Sequence, residues 1–351
     1  MAHSEVKLQA FLARAMYDLG AAQSAWLVAL GDRLGLYKAM AGAGALTPAQ
    51  LAERTGTDEA YLREWLANQA CGGYLEYDAG TGAYTLPEEQ AAALAREDGP
   101  ASLAGAFRVA AALAAVQEPL ADAFRTGGAV PRAAYGEDVG EGMARTSRAR
   151  YGPDLVRRWL GALPGVVARL ESGGTVADLG CGQGALALVL ARAFPRARVA
   201  GFDADARSIA AARQHAEAAG LAASVRFAAV AAHDLPPEGY DLVTAIESFH
   251  EMADPLGAAR RVRAALNPEG AWLIVEPFAS GRLEDDIGPW GRLVSSMSIL
   301  HCLPTSRAEG GGALGPRAGA AVLADVLRAA GFTRVRPLPD EPYQILIEAR
   351  P

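Results

Sequence analysis

The nine residues Val176 to Gly184, Val-Ala-Asp-Leu-Gly-Cys-Gly-Gln-Gly, constrain this chain more than any other stretch. Val176 and Ala177 read as the end of a buried strand, with Asp178 at its carboxyl end. Glycines alternate at Gly180, Gly182 and Gly184, and an apolar helix begins, Ala185 to Arg192. Without a Cβ, each glycine lets the backbone turn tightly and lie against a ligand. The first turn of the helix aims its free N–H groups back at the same spot. The stretch is a strand, loop and helix suited to holding a small ligand with a negative group.

Two cofactors use such a loop. Gly180, Gly182 and Ala185 satisfy the dinucleotide fingerprint G-x-G-x-x-A, a weak match on its own. The second reading is S-adenosylmethionine (SAM), which calls for an acid two residues before G-x-G-x-G. Asp178 and Gly184 favour it. An anion beside the loop repels a pyrophosphate but suits the ammonium and sulfonium charges of SAM. A tight turn with no ligand is the structural alternative.

The length, 351 residues, calls for two domains. The chain is 51% hydrophobic and 21% charged with a net charge of −7. That balance fits a globular protein and argues against nucleic acid or an anionic membrane as the main partner. The cysteines, Cys71, Cys181 and Cys302, lie far apart with no C-x-x-C spacing, so neither a zinc ribbon nor a disulfide framework is expected. No basic segment precedes an apolar run at the start, and no run of about 18 apolar residues exists to span a bilayer. A cytoplasmic location is the expectation.

Residues 5 to 42 are helical in pattern, with a wide apolar stripe that includes Val6, Phe11, Met16, Trp26 and Leu30. That stripe suits either a core or a second copy of the chain. Thr47-Pro48 opens a short helix, Gly56 ends it, and Thr57 or Asp58 starts another through about Ala70. Tyr74 to Tyr77 and Ala83 to Leu86 read as a hairpin. Together these make a winged helix-turn-helix. The second helix carries Asp58, Glu59, Arg63 and Glu64, a net charge of −2, whereas a helix that enters the major groove should be basic. Subunit pairing is the better use. Residues 88 to 172 are helical and rich in alanine, and Tyr135 and Tyr151 sit near glycine and proline breaks, where they suit closure over a pocket or simple burial.

From Gly173 strand and helix alternate. Strands are expected at Thr175–Leu179, Arg198–Phe202, Ser224–Ala229, Asp241–Ala245 and Ala271–Glu276. Alternation of this kind makes a parallel sheet covered on both faces. The end differs: Thr333–Leu338 and Tyr343–Glu348 are joined only by Pro339-Asp340-Glu341-Pro342, which forces an antiparallel pair. In such a sheet ligands bind at the carboxyl ends of the strands. The second strand ends at Asp203, where a carboxylate accepts from ribose hydroxyls. The third leads to Asp234-Leu235, where Asp234 suits an adenine amino group. The fourth leads to Glu247-Ser248-Phe249-His250-Glu251, and the fifth ends at Glu276-Pro277.

In this order the motifs resemble those of class I SAM-dependent methyltransferases, over about Gly173 to Pro351. The whole chain resembles a bacterial subgroup in which a winged-helix domain precedes the methyltransferase domain. Phe124 to Gly128, Trp159-Leu160, Val275-Glu276-Pro277, Ser298 to Cys302 and Ala313-Leu314-Gly315 carry that narrower likeness. The resemblance implies an α/β fold: a Rossmann-like seven-stranded sheet with a terminal antiparallel hairpin, behind an α-rich winged-helix domain. It implies three regions: 1–95 for interaction or dimerisation, 96–172 as a helical connector to the substrate pocket, and 173–351 for SAM. Asp178, Gly180, Gly182, Gly184, Asp203, Asp234 and Leu235 are the implied cofactor set.

The resemblance also implies that His250 faces the transferred methyl. A histidine suits a general base, and Glu251 or Glu247 is placed to orient it. This chain has His-Glu where His-Asp is usual. Enzymes of the subgroup that methylate the β-carbon of α-keto acids are similar here and hold a metal with histidines at the positions of His250 and His301. The expected metal set is therefore His250 and His301, completed by the carboxylate of Glu247 or of Glu251, for zinc or iron. No local H-x-x-H spacing supports it. His215, on a polar helix face, and His3, near the start, are expected to be solvated. The reading is a small-molecule methyltransferase, a homodimer, with Arg282 to Leu314 and residues 135–151 as a substrate lid. The alternatives are a metal-free O-methyltransferase of a phenolic metabolite, a SAM-binding winged-helix regulator, and a nicotinamide oxidoreductase, which Asp178 and the terminal hairpin disfavour.

Overall fold

The computed structural model describes residues 4–97, 99–312, 314–339 and 341–351. His3, the Ala313 of the Ala-Leu-Gly motif and the Asp340 of the terminal turn lie outside the described residues. The chain divides into two compact units, Met1–Ala112 and Leu113–Pro351. The boundary runs through the stretch 96–172: the helix Ala104–Ala112 belongs to the first unit, and everything from Leu113 onward to the second.

The first unit opens with one long helix, Glu5–Arg33. Its second half is held by a core of Val28, Leu36, Tyr37, Met40, Leu62, Trp65 and Leu66. The helix Pro48–Thr55 begins with a reciprocal cap between Thr47 and Gln50 and stops at Gly56 in the left-handed conformation. Asp58, not Thr57, caps the next helix, Glu59–Cys71, accepting from the amides of Ala60 and Tyr61. The strands β1 (Glu76–Asp78) and β2 (Ala83–Thr85) then pair antiparallel. They are shorter than the predicted hairpin: Leu75 is spent on the core, and Leu46 bridges to Tyr84. Helix, helix and hairpin form the expected wing. Val6, Phe11, Met16 and Tyr17 in the first half of the long helix are exposed.

The second unit is built on a seven-stranded sheet. Its strands are β3 (Thr175–Leu179), β4 (Arg198–Asp203), β5 (Val225–Ala229), β6 (Tyr240–Ile246), β7 (Leu266–Pro277), β8 (Arg334–Pro337) and β9 (Gln344–Arg350). Their order is β5-β4-β3-β6-β7-β9-β8. Pairing is parallel from β5 through β7 and antiparallel for β7 with β9 and β9 with β8, as the short terminal connection requires. β7 starts five residues before the predicted Ala271, because Leu266 pairs with Tyr240 across a register shift before the regular ladder begins. Every residue of β3 is buried, as expected of a strand covered on both faces. One core, including Leu186, Leu190, Val199 and Leu273, fills one face; a second, including Phe202, Val243, Trp272 and Leu327, fills the other. Strand order reverses between β3 and β6, which makes the carboxyl ends of β3, β4 and β6 the natural ligand crevice. Among the described residues no helix is long and apolar enough to cross a membrane.

Candidate active site

The crevice has two ends, the expected cofactor end and the expected acceptor end. At the cofactor end, Gly180, Gly182 and Gly184 all take positive φ. A Cβ on Gly180 would lie 2.5 Å from the Ser248 side chain, and one on Gly184 would lie 2.6 Å from the Phe227 ring. The turn therefore needs glycine there for backbone angle and for space. The amides of Gly180 and Cys181 donate to the Phe202 carbonyl at the end of β4, at 2.8 and 3.0 Å. That leaves the loop folded over the edge between β3 and β4. Asp203 accepts from the Gly182 amide and from the Asp205 amide, each at 2.9 Å. Asp178 is buried and accepts from the Thr244 hydroxyl at 2.7 Å. Burial pushes the Asp178 carboxyl up to about 6, against the pull of Thr244 and the Ala187 amide. Asp203 is raised as well, again by burial first. Asp234 is open to solvent beside His233, while Leu235 is fully buried.

The acceptor end forms where β6 and β7 run out. Glu247 closes β6 at a φ of 50°, strained for a non-glycine residue. A short turn, Phe249–Glu251, follows it. Glu276, on β7, holds that turn: one carboxylate oxygen accepts from the Phe249 amide at 2.8 Å and the His250 amide at 3.3 Å. The other accepts from His250 Nδ1. The ring is thereby fixed with Nε2 turned inward, buried and without a hydrogen-bond partner. Nε2 faces Glu251 Oε1 at 3.7 Å. His301 Nδ1 lies 3.2 Å from that same oxygen. Burial disfavours the imidazolium of His250, but Glu276 and Cys302 outweigh it and hold the ring well above its ordinary value. Burial likewise opposes the Glu251 charge, yet His301, Arg132 and His250 keep its carboxyl well below the usual range.

The surroundings tie this end down. Arg132 donates to Glu251 Oε2 and to Glu309 Oε1, both at 3.0 Å. The Tyr135 hydroxyl donates to the Leu300 carbonyl, and its ring packs edge-on against His301. The Val130 amide reaches the Pro304 carbonyl. The helical segments Ser298–Cys302 and Leu303–Ala308, within the stretch expected to form a lid, thus touch residues 130–135. Tyr151 is buried and donates to Glu247.

A metal ion can be tested against these donors. One ligand atom each from His250, Glu251 and Cys302 lies within 4.8 Å of the others. With a buried, unpartnered Nε2 among them, the set fits a borderline divalent cation such as zinc. Glu247 is not part of that set; its carboxylate is taken by the Tyr151 hydroxyl.

Residues 170–311 match the family model of a methyltransferase domain. The chain carries a methyltransferase domain. Residues 22–96 match the model of the Rv2258c-like winged HTH domain. Over 183 residues, 50% of this chain, the protein is 33% identical to the acetylserotonin O-methyltransferase of Mus musculus, covering 43% of it. A ubiquinone biosynthesis O-methyltransferase of Methylobacterium sp. (strain 4-46) is 37% identical over 99 residues, 28% of this chain and 39% of that protein. The chain thus spans less than half the length of these curated relatives. Among solved structures, PigF with SAH aligns at a TM-score of 0.72 and 20% identity, over 96% of this chain and 98% of that one. Human N-acetylserotonin methyltransferase in complex with SAM aligns at 0.70 and 20%, over 100% and 99%. At this identity the structural likeness speaks for the fold, and the fold is the one the motifs implied.

The methyltransferase domain gathers most of the residues singled out in the sequence. Asp178, Gly180, Gly182, Gly184 and Asp203 converge on one loop, and His250, Glu251 and His301 on one carboxylate oxygen. Other placements differ from the sequence reading. The ring of His250 is oriented by Glu276 rather than by Glu251 or Glu247, since Glu276 faces it from the neighbouring strand. His215 is not simply solvated: its Nδ1 lies 3.1 Å from the Gln183 carbonyl of the glycine loop. Arg132 and Cys302 carried no signal as site residues. A strand-terminal glutamate next to the strand that leads to His250 was the one cue for Glu276.

Proposed function

We propose that this protein is a SAM-dependent methyltransferase that acts on a small molecule through a deprotonated oxygen or carbon. One observation carries the reading: at the carboxyl end of the strand beside the glycine loop, Glu276 fixes His250 with Nε2 buried, unpartnered and facing Glu251. Asp203 and the loop glycines would hold the ribose and the amino-acid end of SAM, and Asp178 would offset its positive charge. Asp234 and Leu235 would flank the adenine. His250 Nε2 would take the proton from the acceptor as its oxygen or carbon attacks the methyl carbon. The bond from that carbon to sulfur breaks, leaving a neutral thioether. The sulfonium charge favours the neutral ring that a base requires. Most of the rate comes from alignment of acceptor and methyl. Relatives named O-methyltransferases support oxygen as the acceptor atom.

A second reading is metal-dependent methylation of the β-carbon of an α-keto acid, favoured by the unpartnered Nε2 facing Glu251. A bound ion would supply Lewis acidity toward the acceptor. Here His250 and a carboxylate would be ligands, and Glu276 would keep Nδ1 protonated so that Nε2 keeps its lone pair.

The exposed apolar residues Val6, Phe11, Met16 and Tyr17 support a homodimer through the first unit. The acidic second helix of the wing argues against a DNA-binding regulator. Three free cysteines are at home in the reducing cytoplasm.

The test is SAM titration by calorimetry, followed by an assay for S-adenosylhomocysteine with panels of phenols and 2-oxo acids. Binding with turnover of a phenol supports the base reading, and turnover of a 2-oxo acid supports the second. If SAM does not bind to the folded chain, the proposal fails.

A further inference from the structure

His250, Glu251 and Cys302 are brought together from two separate stretches of chain, and each is held in a way that leaves a donor atom facing the others. His250 Nδ1 is committed to Glu276, so Nε2 is the free ring atom, and it has no hydrogen-bond partner. A histidine that ligates a metal characteristically donates its other N–H to a carboxylate in this way. Glu251 is anchored by Arg132 through Oε2, which leaves Oε1 turned toward the histidine. Cys302 is buried beside them, at the end of the wide helical turn Ser298–Cys302. Donor atoms of the three lie within 4.8 Å of one another.

We infer that this triad, with Cys302 as its thiolate ligand, is a site for one zinc-class divalent cation. The inference rests on the reading of this crevice as the acceptor end of a methyltransferase. It departs from the ligand set that the family resemblance implies. His301 offers no ring nitrogen to the group of donor atoms that lie within 4.8 Å of one another, and its Nδ1 lies 3.2 Å from the carboxylate oxygen that would ligate, so it is left out of the set. Glu247 is committed to Tyr151. A thiolate, a carboxylate and a neutral imidazole balance a dication. Sulfur selects zinc, cobalt or iron over magnesium or calcium. Three protein ligands leave a fourth position open, as in catalytic rather than structural zinc sites. Burial holds the Cys302 thiol up near 12, so the ion must displace its proton on entering.

The experiment is a Co²⁺ titration of the chelator-stripped full-length protein, followed by optical absorption. The expected result is saturable binding of one ion per chain with a near-ultraviolet thiolate-to-cobalt charge-transfer band. Cys302→Ser should lose the band, and His301→Ala should keep it. Glu276→Gln should keep the band but weaken binding by about 10–100-fold. If Cys302→Ser does not fold, X-ray absorption at the zinc edge of the wild-type protein supplies the second readout: one sulfur at about 2.3 Å is expected. Binding without the band, a zinc shell without sulfur, or a band that survives in Cys302→Ser would overturn the inference. SAM is titrated into the same stripped sample. Normal SAM binding with no cobalt bound sinks the metal site and spares the proposed function; cobalt with no SAM bound sinks the proposed function instead.

Discussion

Asp178 and Asp203 at the cofactor end, and Glu251 at the acceptor end, are acids at or just beyond the carboxyl ends of adjacent strands, yet they are stabilised on opposite terms. The donors to Asp178 are neutral: the Thr244 hydroxyl and the Ala187 amide. Those to Asp203 are backbone amides, and the pull of Arg132 on its carboxyl is outweighed by burial. Glu251 is surrounded by Arg132, His301 and His250. Burial wins at Asp178 and Asp203 and raises both; positive neighbours win at Glu251 and lower it. The difference teaches what each end is prepared for. On the proposed function, the cofactor end is a pair of buried acids that a cationic ligand would complete. The acceptor end is already neutralised from within, so that one imidazole nitrogen is left over.

That contrast breaks most visibly at His250. His250→Ala should reduce turnover by about 10²–10⁴-fold, the range for loss of a general base, while calorimetric SAM affinity stays where it was. Equal losses in both would mean that the two ends are not separate. Next in size, Asp203→Ala should weaken SAM by about tenfold or more, which corresponds to about 1.4 kcal/mol. Unchanged affinity would take Asp203 out of the site. At the acceptor end Glu276→Gln still accepts the two backbone amides but no longer offers an anion to Nδ1. Turnover should fall with little change in melting temperature, and a large drop in melting temperature would make Glu276 a structural strut.

The cofactor end was legible in the sequence because its constraints are local. Gly180 and Gly184 are required by backbone angle and by near neighbours, and the run from Val176 to Gly184 states that need in consecutive residues. The terminal β8–β9 pair was legible for the same reason, since a short connection permits one pairing only. The acceptor end was half legible. His250 stood out by its place after β6, but nearness in sequence pointed to Glu247 and Glu251 as its partners. The ring is held instead by Glu276, which reaches it from the next strand across the sheet, and Glu251 is held by Arg132 from far upstream. Cys302 reads only as an isolated cysteine at the end of the Ser298–Cys302 motif until the fold brings it beside His250. Such contacts are set by strand order and helix docking, which leave no spacing in the chain.

The smallest effect expected is also the one that most sharpens the contrast, because its sign is unusual. Asp178→Asn keeps an acceptor for the Thr244 hydroxyl while removing the charge. The folded carboxyl titrates near 6 and the unfolded one near 3.8, so the folded state binds more protons between those values. Wild-type stability therefore falls as pH rises through that window and levels off above it. Full conversion at 1.36 kcal/mol per unit sets a ceiling of roughly 3 kcal/mol, and relaxation of the empty crevice should leave about 1 kcal/mol. Without SAM, Asp178→Asn should accordingly melt higher than wild type at neutral pH and match it near pH ~4. With saturating SAM the order should reverse, since the cation that completes the pair of acids now favours the charged residue. Thermal melts at the two pH values, with and without SAM, measure this. A variant less stable than wild type at neutral pH without SAM would show that Asp178 is stabilised from within after all, and the distinction between the two ends would fail.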